Sequence, residues 1–181
     1  LNRHRGEPFA QWTWQQLSSH VVDFAATLLR AGVMPGDRDA QWSSNRREWL
    51  VADLSLHLNG VVHVPIHRPL SAQQAATQVS HSEARLLLVE NAGQAEQIAG
   101  RIAEDIAVVC FDGDGEDSAV PLLSDLLGAI ENEDRTRVAD LRSSTPEAVH
   151  LATILYTSGT TGEPKGVMLG QDHLLFTATQ M

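Results

Sequence analysis

Between Thr13 and Arg30, apolar residues recur at helical spacing, with Leu17, Val21, Phe24, Ala25 and Leu28 on one face. Thr13 followed by Gln16 predicts a capping box, each side chain satisfying the other's free backbone N–H. Gly32 is a natural stop, and Pro35-Gly36-Asp37 reads as a turn. Arg38–Trp42 predicts a short strand. Ser44 is expected to cap a second helix, from about Arg46 to Leu58 and closed by Gly60. Val61–Ile66 (VVHVPI) predicts a strand ended by Pro65, which cannot donate to a ladder. Ser71 and Gln74 repeat the capping-box pattern and open a third helix to about His81. Leu86-Leu87-Leu88-Val89 is a continuous apolar run, as in strands buried on both faces of a parallel sheet. A helix over Ala95–Glu104, a strand over Ile106–Phe111 and a helix over Leu122–Ile130 are expected next, with Glu131–Pro146 a solvated linker.

Strands alternating with helices over short connections predict an α/β fold, a mostly parallel sheet flanked by helices. Two parts are expected, residues 1–146 as an N-terminal α/β subdomain and 147–181 as the start of the next. The chain begins at Leu1 and stops at Met181 within an apolar-periodic segment, so it reads as a piece of a longer protein.

Charge narrows the partners. Thirteen Lys and Arg against 23 Asp and Glu give a net charge of −10 in 181 residues. From Asp112 to Asp140 nine acids face two bases, so that stretch carries −7. Bulk electrostatics therefore disfavour nucleic acid as a partner. Cys110 is the sole cysteine, which excludes an intrachain disulfide and a Cys-based zinc cluster and suits a cytoplasmic setting. No apolar run approaches the roughly 20 residues of a membrane span, which leaves only peripheral membrane contact.

The chemistry concentrates in LATILYTSGTTGEPKG, Leu151–Gly166. An apolar strand runs into a loop rich in hydroxyls, glycine and one lysine. Thr157, Ser158, Thr160 and Thr161 offer hydroxyl donors to phosphate oxygens, Gly159 and Gly162 permit close backbone approach, and Lys165 supplies the point charge. A Walker A loop is excluded, because the fifth position after Gly159 is Pro164. Pro164 also disfavours a helix starting at Lys165, and Val167-Met168-Leu169 predicts a returning strand. The anion would then sit in a hairpin loop instead of on a helix dipole.

YTSGTTGEPKGVML resembles the phosphate-binding signature of the acyl-adenylate-forming superfamily, which includes acyl-CoA synthetases, peptide-synthetase adenylation domains and luciferases. Upstream, TWQQL, GVMPGDR, SNRREWLVADL and GVVHVPIHRPLSAQQ follow that superfamily's N-terminal pattern in order, and SNRREW with VPIHRPLSAQQ most resembles long-chain fatty-acid–CoA ligases. The resemblance implies a two-step reaction. A carboxylate attacks the α-phosphorus of Mg-ATP to give an acyl-adenylate and pyrophosphate, and coenzyme A thiolate then attacks the mixed anhydride. It implies that Thr157–Gly162 and Lys165 bind the β- and γ-phosphates, with Lys165 as the catalytic residue. Residues 151–181 sum to −1, so Mg²⁺ would carry much of the neutralisation. The resemblance also implies that adenine, ribose, metal and coenzyme A contacts lie beyond Met181. Two alternatives stand beside the fatty-acid reading: a non-catalytic nucleotide-binding module, and an adenylating enzyme for another acid. Self-association is expected of a sheet that ends on an unpartnered edge.

Other groups are expected to be structural. DGDGED at Asp112–Asp117 fails as a calcium loop, since its sixth position is Asp117 and its twelfth Leu123. His57, His63 and His67 fall on a helix, a strand and a loop, and read as separate histidines. Cys110 reads as a buried apolar residue, and Trp12, Trp14, Trp42 and Trp49 as core packing. Gly170-Gln171-Asp172-His173 departs from the superfamily's pattern, so no role attaches to His173.

Overall fold

The computed structural model describes residues 11–112, 120–127, 130–144, 151–157 and 164–180. Its elements are α1 (Trp14–Arg30), β1 (Arg38–Trp42), α2 (Arg47–Leu58), β2 (Val62–Ile66), α3 (Ala72–Ser82), β3 (Leu86–Asn91) and α4 (Ala92–Ile98). Then follow β4 (Ala107–Asp112), α5 (Leu123–Leu127), α6 (Asn132–Ser144), β5 (Leu151–Thr157), β6 (Lys165–Gly170) and α7 (Gln171–Thr179). The strands form one six-stranded sheet in the order β4-β3-β1-β2-β5-β6. Every pairing is parallel except β5 with β6.

The apolar run of β3 explains the layering. Leu87 and Val89 face a cluster with Ala75, Ala76 and Val79 of α3 and Ala95 and Ile98 of α4. Leu86 and Leu88 face the opposite cluster, with Phe24 and Leu28 of α1 and Val51, Ala52 and Leu56 of α2. A strand covered by helices on both sides has no polar face to show, which is why its sequence does not alternate.

Both capping boxes form as the sequence predicts, at Thr13–Gln16 and Ser71–Gln74. Ser71 is exposed and serves only α3, so Ser71→Ala should cost about 1 kcal/mol. A urea unfolding midpoint unmoved by that substitution would contradict the assignment. Gly60 closes the second helical segment at φ +68°, a left-handed conformation that side chains resist.

Several expectations need correction. Ser44 does not cap α2. Its hydroxyl donates to Glu90 Oε1 (2.6 Å), its N–H to Glu90 Oε2 (3.3 Å), and Arg46 takes the cap position through backbone alone. β2 runs through Pro65 to Ile66. His63 turns its carbonyl toward β5, so Pro65, two residues on, points its missing N–H the same way, beyond the registered His63–Thr153 pair. α4 starts at Ala92 because the Asn91 side chain accepts the Gln94 N–H (3.1 Å), and it ends at Ile98 where Ala99 turns extended. α5 stops being described at Leu127. The expected linker contains α6, whose buried Val138, 2% exposed, packs against Ala25 and Ala26 of α1. Arg135 Nε donates to Asp23 Oδ1 at 2.6 Å beside it.

The tryptophans divide. Trp42 is buried, but Trp14 is 87% exposed at the first turn of α1, away from the Leu17–Phe24 face. Trp12 stacks on His20 (4.4 Å), and Trp49 meets the His63 ring edge-on (5.3 Å). Cys110 is buried in β4, as expected. The expected division after residue 146 falls among residues 145–150, outside those described, while β5 beyond it joins the same sheet. No described helix is long and apolar enough to cross a membrane.

Candidate functional site

β5 and β6 form the hairpin that the proline and the returning apolar run predict. Thr157 pairs with Lys165 and Tyr156 with Gly166. Thr157 and Lys165 thus stand across from each other at the mouth of the loop, both exposed. Ser158, Gly159, Thr160, Thr161 and Gly162 lie outside the described residues, as do residues 113–117 of the rejected calcium motif. Asp112, which is described, is engaged by Arg46 in a two-pronged ion pair (2.6 and 2.7 Å).

Two features hold the base of the hairpin. A Cβ on Gly166 would lie 2.9 Å from Ile154 Cγ2 and 3.5 Å from the Tyr156 ring, so any side chain there would force the strands apart. Tyr156 Oη lies 2.7 Å from His81 Nδ1 and donates to the Gln78 carbonyl at 3.5 Å, tying the strand that enters the loop to α3. His81 carries no sequence signal for this, since its partner is 75 residues away.

The hairpin borders a crevice of about 900 Å³ at the C-terminal end of the parallel strands, the position where open α/β sheets bind ligands. Ser43, Ser44 and Asn45 after β1, His67, Arg68 and Leu70 after β2, and Tyr156, Thr157 and Pro164 of the hairpin line it. Trp49, Ile66 and Leu155 make part of it apolar. Glu90 organises the rim by accepting from Ser44 and from Arg68 Nε (3.2 Å). Burial opposes ionisation of Glu90, but these hydrogen bonds outweigh it and hold its carboxyl below the usual range. No carboxylate is among the described residues lining the crevice, which presents hydroxyls, amides, the His67 imidazole and the Arg68 guanidinium.

A second group assembles behind the sheet. Asp53 Oδ1 lies 2.7 Å from His63 Nδ1 and 3.2 Å from His57 Nε2. His57 and His63, expected to be separate, share one carboxylate, while His67 is exposed at the crevice. Asp53 and His57 are four apart on one helix, a spacing visible in sequence; the approach of β2 is not. His173 acts as a backbone partner at the start of α7, where the Gly170 N–H donates to its Nδ1 at 3.1 Å.

Known proteins share the fold and the family of this chain. The chain is 34% identical over 167 residues to a long-chain-fatty-acid–CoA ligase of Mycobacterium bovis, covering 90% of this chain and 27% of that protein. It is 33% identical to a 2-succinylbenzoate–CoA ligase of Bacillus licheniformis, covering 86% and 28%. Among solved structures its fold is similar to an anthranilate CoA ligase in complex with anthranoyl-AMP, at TM-score 0.77 and 20% identity over 94% of this chain and 32% of that one. A benzoate CoA ligase of Burkholderia xenovorans gives TM-score 0.74, also at 20% identity, over 94% and 31%. The chain thus spans about a quarter to a third of the length of its relatives. The family described as AMP-binding enzyme matches residues 4–181, and with the glycine- and hydroxyl-rich hairpin at the sheet's C-terminal end, the chain belongs to that family.

Proposed function

We propose that this chain is the phosphate-binding part of an ATP-dependent acid–CoA ligase whose acid is a long-chain fatty acid. The observation that carries the reading is the pairing of Thr157, which lines a large, partly apolar crevice, with Lys165 across the hairpin. The residues fit a triphosphate: the Thr157 hydroxyl and the Lys165 ammonium stand opposite one another where β5 ends and β6 begins, both exposed. Thr157 and Lys165 would hold the β- and γ-phosphates. As the acid's carboxylate attacks the α-phosphorus, charge grows on the departing pyrophosphate, and donors already aimed there stabilise the transition state. Mg²⁺ would arrive on the nucleotide and supply further neutralisation. The Tyr156–His81 contact and the Gly166 approach would keep the hairpin base fixed. Coenzyme A thiolate would then attack the acyl-adenylate carbonyl and release AMP.

Support for the fatty-acid reading comes from the upstream motifs and the 34% relative. The 2-succinylbenzoate relative, at 33%, supports another acid almost equally. Incubating the complete protein with ATP, Mg²⁺, coenzyme A and either palmitate or 2-succinylbenzoate separates them; palmitoyl-CoA formation is expected. Turnover of the aromatic acid alone would move the assignment, and turnover of neither would favour a non-catalytic nucleotide-binding module. We also propose that the 181-residue chain self-associates through β6 and α7, where Met168 and Phe176 are 65% and 67% exposed. Light scattering should give a mass above the monomer that rises with concentration, and a constant monomer mass would contradict it.

A further inference from the structure

We propose that Asp53, His57 and His63 form a binding site for a divalent ion of the zinc class, clamping α2 to β2. Their three donor atoms lie within 4.8 Å of one another, the only such group among the described residues. The set is one carboxylate oxygen and two imidazole nitrogens, borderline ligands that suit Zn²⁺ far better than Mg²⁺ or Ca²⁺. A tetrahedral ion at metal–ligand distances of about 2.0–2.1 Å wants its ligand atoms about 3.3 Å apart. The Asp53–His57 separation of 3.2 Å already meets this, and the Asp53–His63 separation of 2.7 Å needs a small opening.

The ligands sit on rigid elements. Asp53 and His57 are one turn apart on α2, and His63 is fixed in mid-strand, its carbonyl accepting from Thr153 Oγ1 at 2.8 Å. Accessibility is graded in the sense that uptake requires: His63 is 1% exposed, whereas Asp53 and His57 are each 22% exposed and open toward solvent. Water would complete the coordination from that side. Ligation through Nδ1 would leave the His63 proton on Nε2, a buried nitrogen with no partner among the described residues. Asp39 is registered directly against His63 on β1, on the same face of the sheet.

Because β2 meets β5 at the His63–Thr153 pair, the ion would brace the strand next to the phosphate hairpin. Cobalt(II) titration of the chelator-treated 181-residue chain tests this directly, since tetrahedral cobalt absorbs strongly in the visible. One equivalent of Co²⁺ should develop that band and Zn²⁺ should abolish it. His57→Ala and the gentler His57→Gln should each weaken binding at least tenfold, with unchanged circular dichroism, while His20→Ala binds normally. Failure to develop a saturable band, or binding unaltered by both His57 variants, would overturn the site. Either result leaves the reading of Thr157 and Lys165 untouched, because the site meets the hairpin at the His63–Thr153 pair, four residues before Thr157.

Discussion

Replacing Lys165 by Ala in the complete protein should slow acid-dependent ATP–pyrophosphate exchange by about 10²–10³-fold, the usual cost of removing one donor aimed at developing negative charge. Lys165 opens β6 opposite Thr157, is exposed and has no ion-pair partner among the described residues. Its loss should therefore leave the fold intact, and the circular dichroism of the variant should match the parent. On the proposed function the charge Lys165 would meet is larger on departing pyrophosphate than on bound ATP, so kcat should fall more than KM for ATP rises. Lys165→Arg should recover part of the rate. Exchange at the parental rate in the Ala variant would remove this residue from the chemistry.

Asp39→Asn should stabilise the chain above neutral pH by up to about 4 kcal/mol and do almost nothing near pH 4. Asp39 lies inside the sheet on β1, fully buried between β2 and β3. Burial, with Asp37 adding repulsion, pushes its carboxyl from 3.8 to about 7; Arg85 and the Leu86 backbone N–H oppose the rise. The folded state therefore holds a proton that the unfolded state releases between about pH 4 and 7. A raised folded value means that the group's contribution is fully present below the unfolded value and is lost as pH climbs through about 7. Asparagine cannot ionise, so the variant escapes that loss. Urea unfolding at pH 4.5 and pH 8 would show the gap widening with pH; an equal difference at both would contradict the assignment.

Local signals were the readable ones. The capping boxes at Thr13 and Ser71 need partners three residues away, and the β3 leucines need only a count of apolar positions. The hairpin was legible for the same reason, because Pro164 forbids a helix and Val167–Leu169 supplies a return strand. Partners distant in sequence were not. Ser44 looks like a cap until Glu90, 46 residues on, takes its hydroxyl. α6 offers almost no apolar face, and its buried Val138 finds Ala25 and Ala26 more than 100 residues upstream. A tryptophan near an amphipathic helix suggests packing, yet the position of Trp14 points it into solvent. At the site, Thr157 and Lys165 were identified from composition, whereas His81, Gly166 and the Asp53 cluster depend on contacts between elements.

Nuclear magnetic resonance titration of the 181-residue chain with Mg-ATP, following the amides of Thr157, Lys165 and Gly166, tests the proposal that the hairpin holds a nucleotide, without depending on turnover or on the identity of the acid. Saturable shifts at those amides, reduced in Lys165→Ala and absent with adenosine alone, are the predicted result. Amides that stay in place at saturating nucleotide would contradict it.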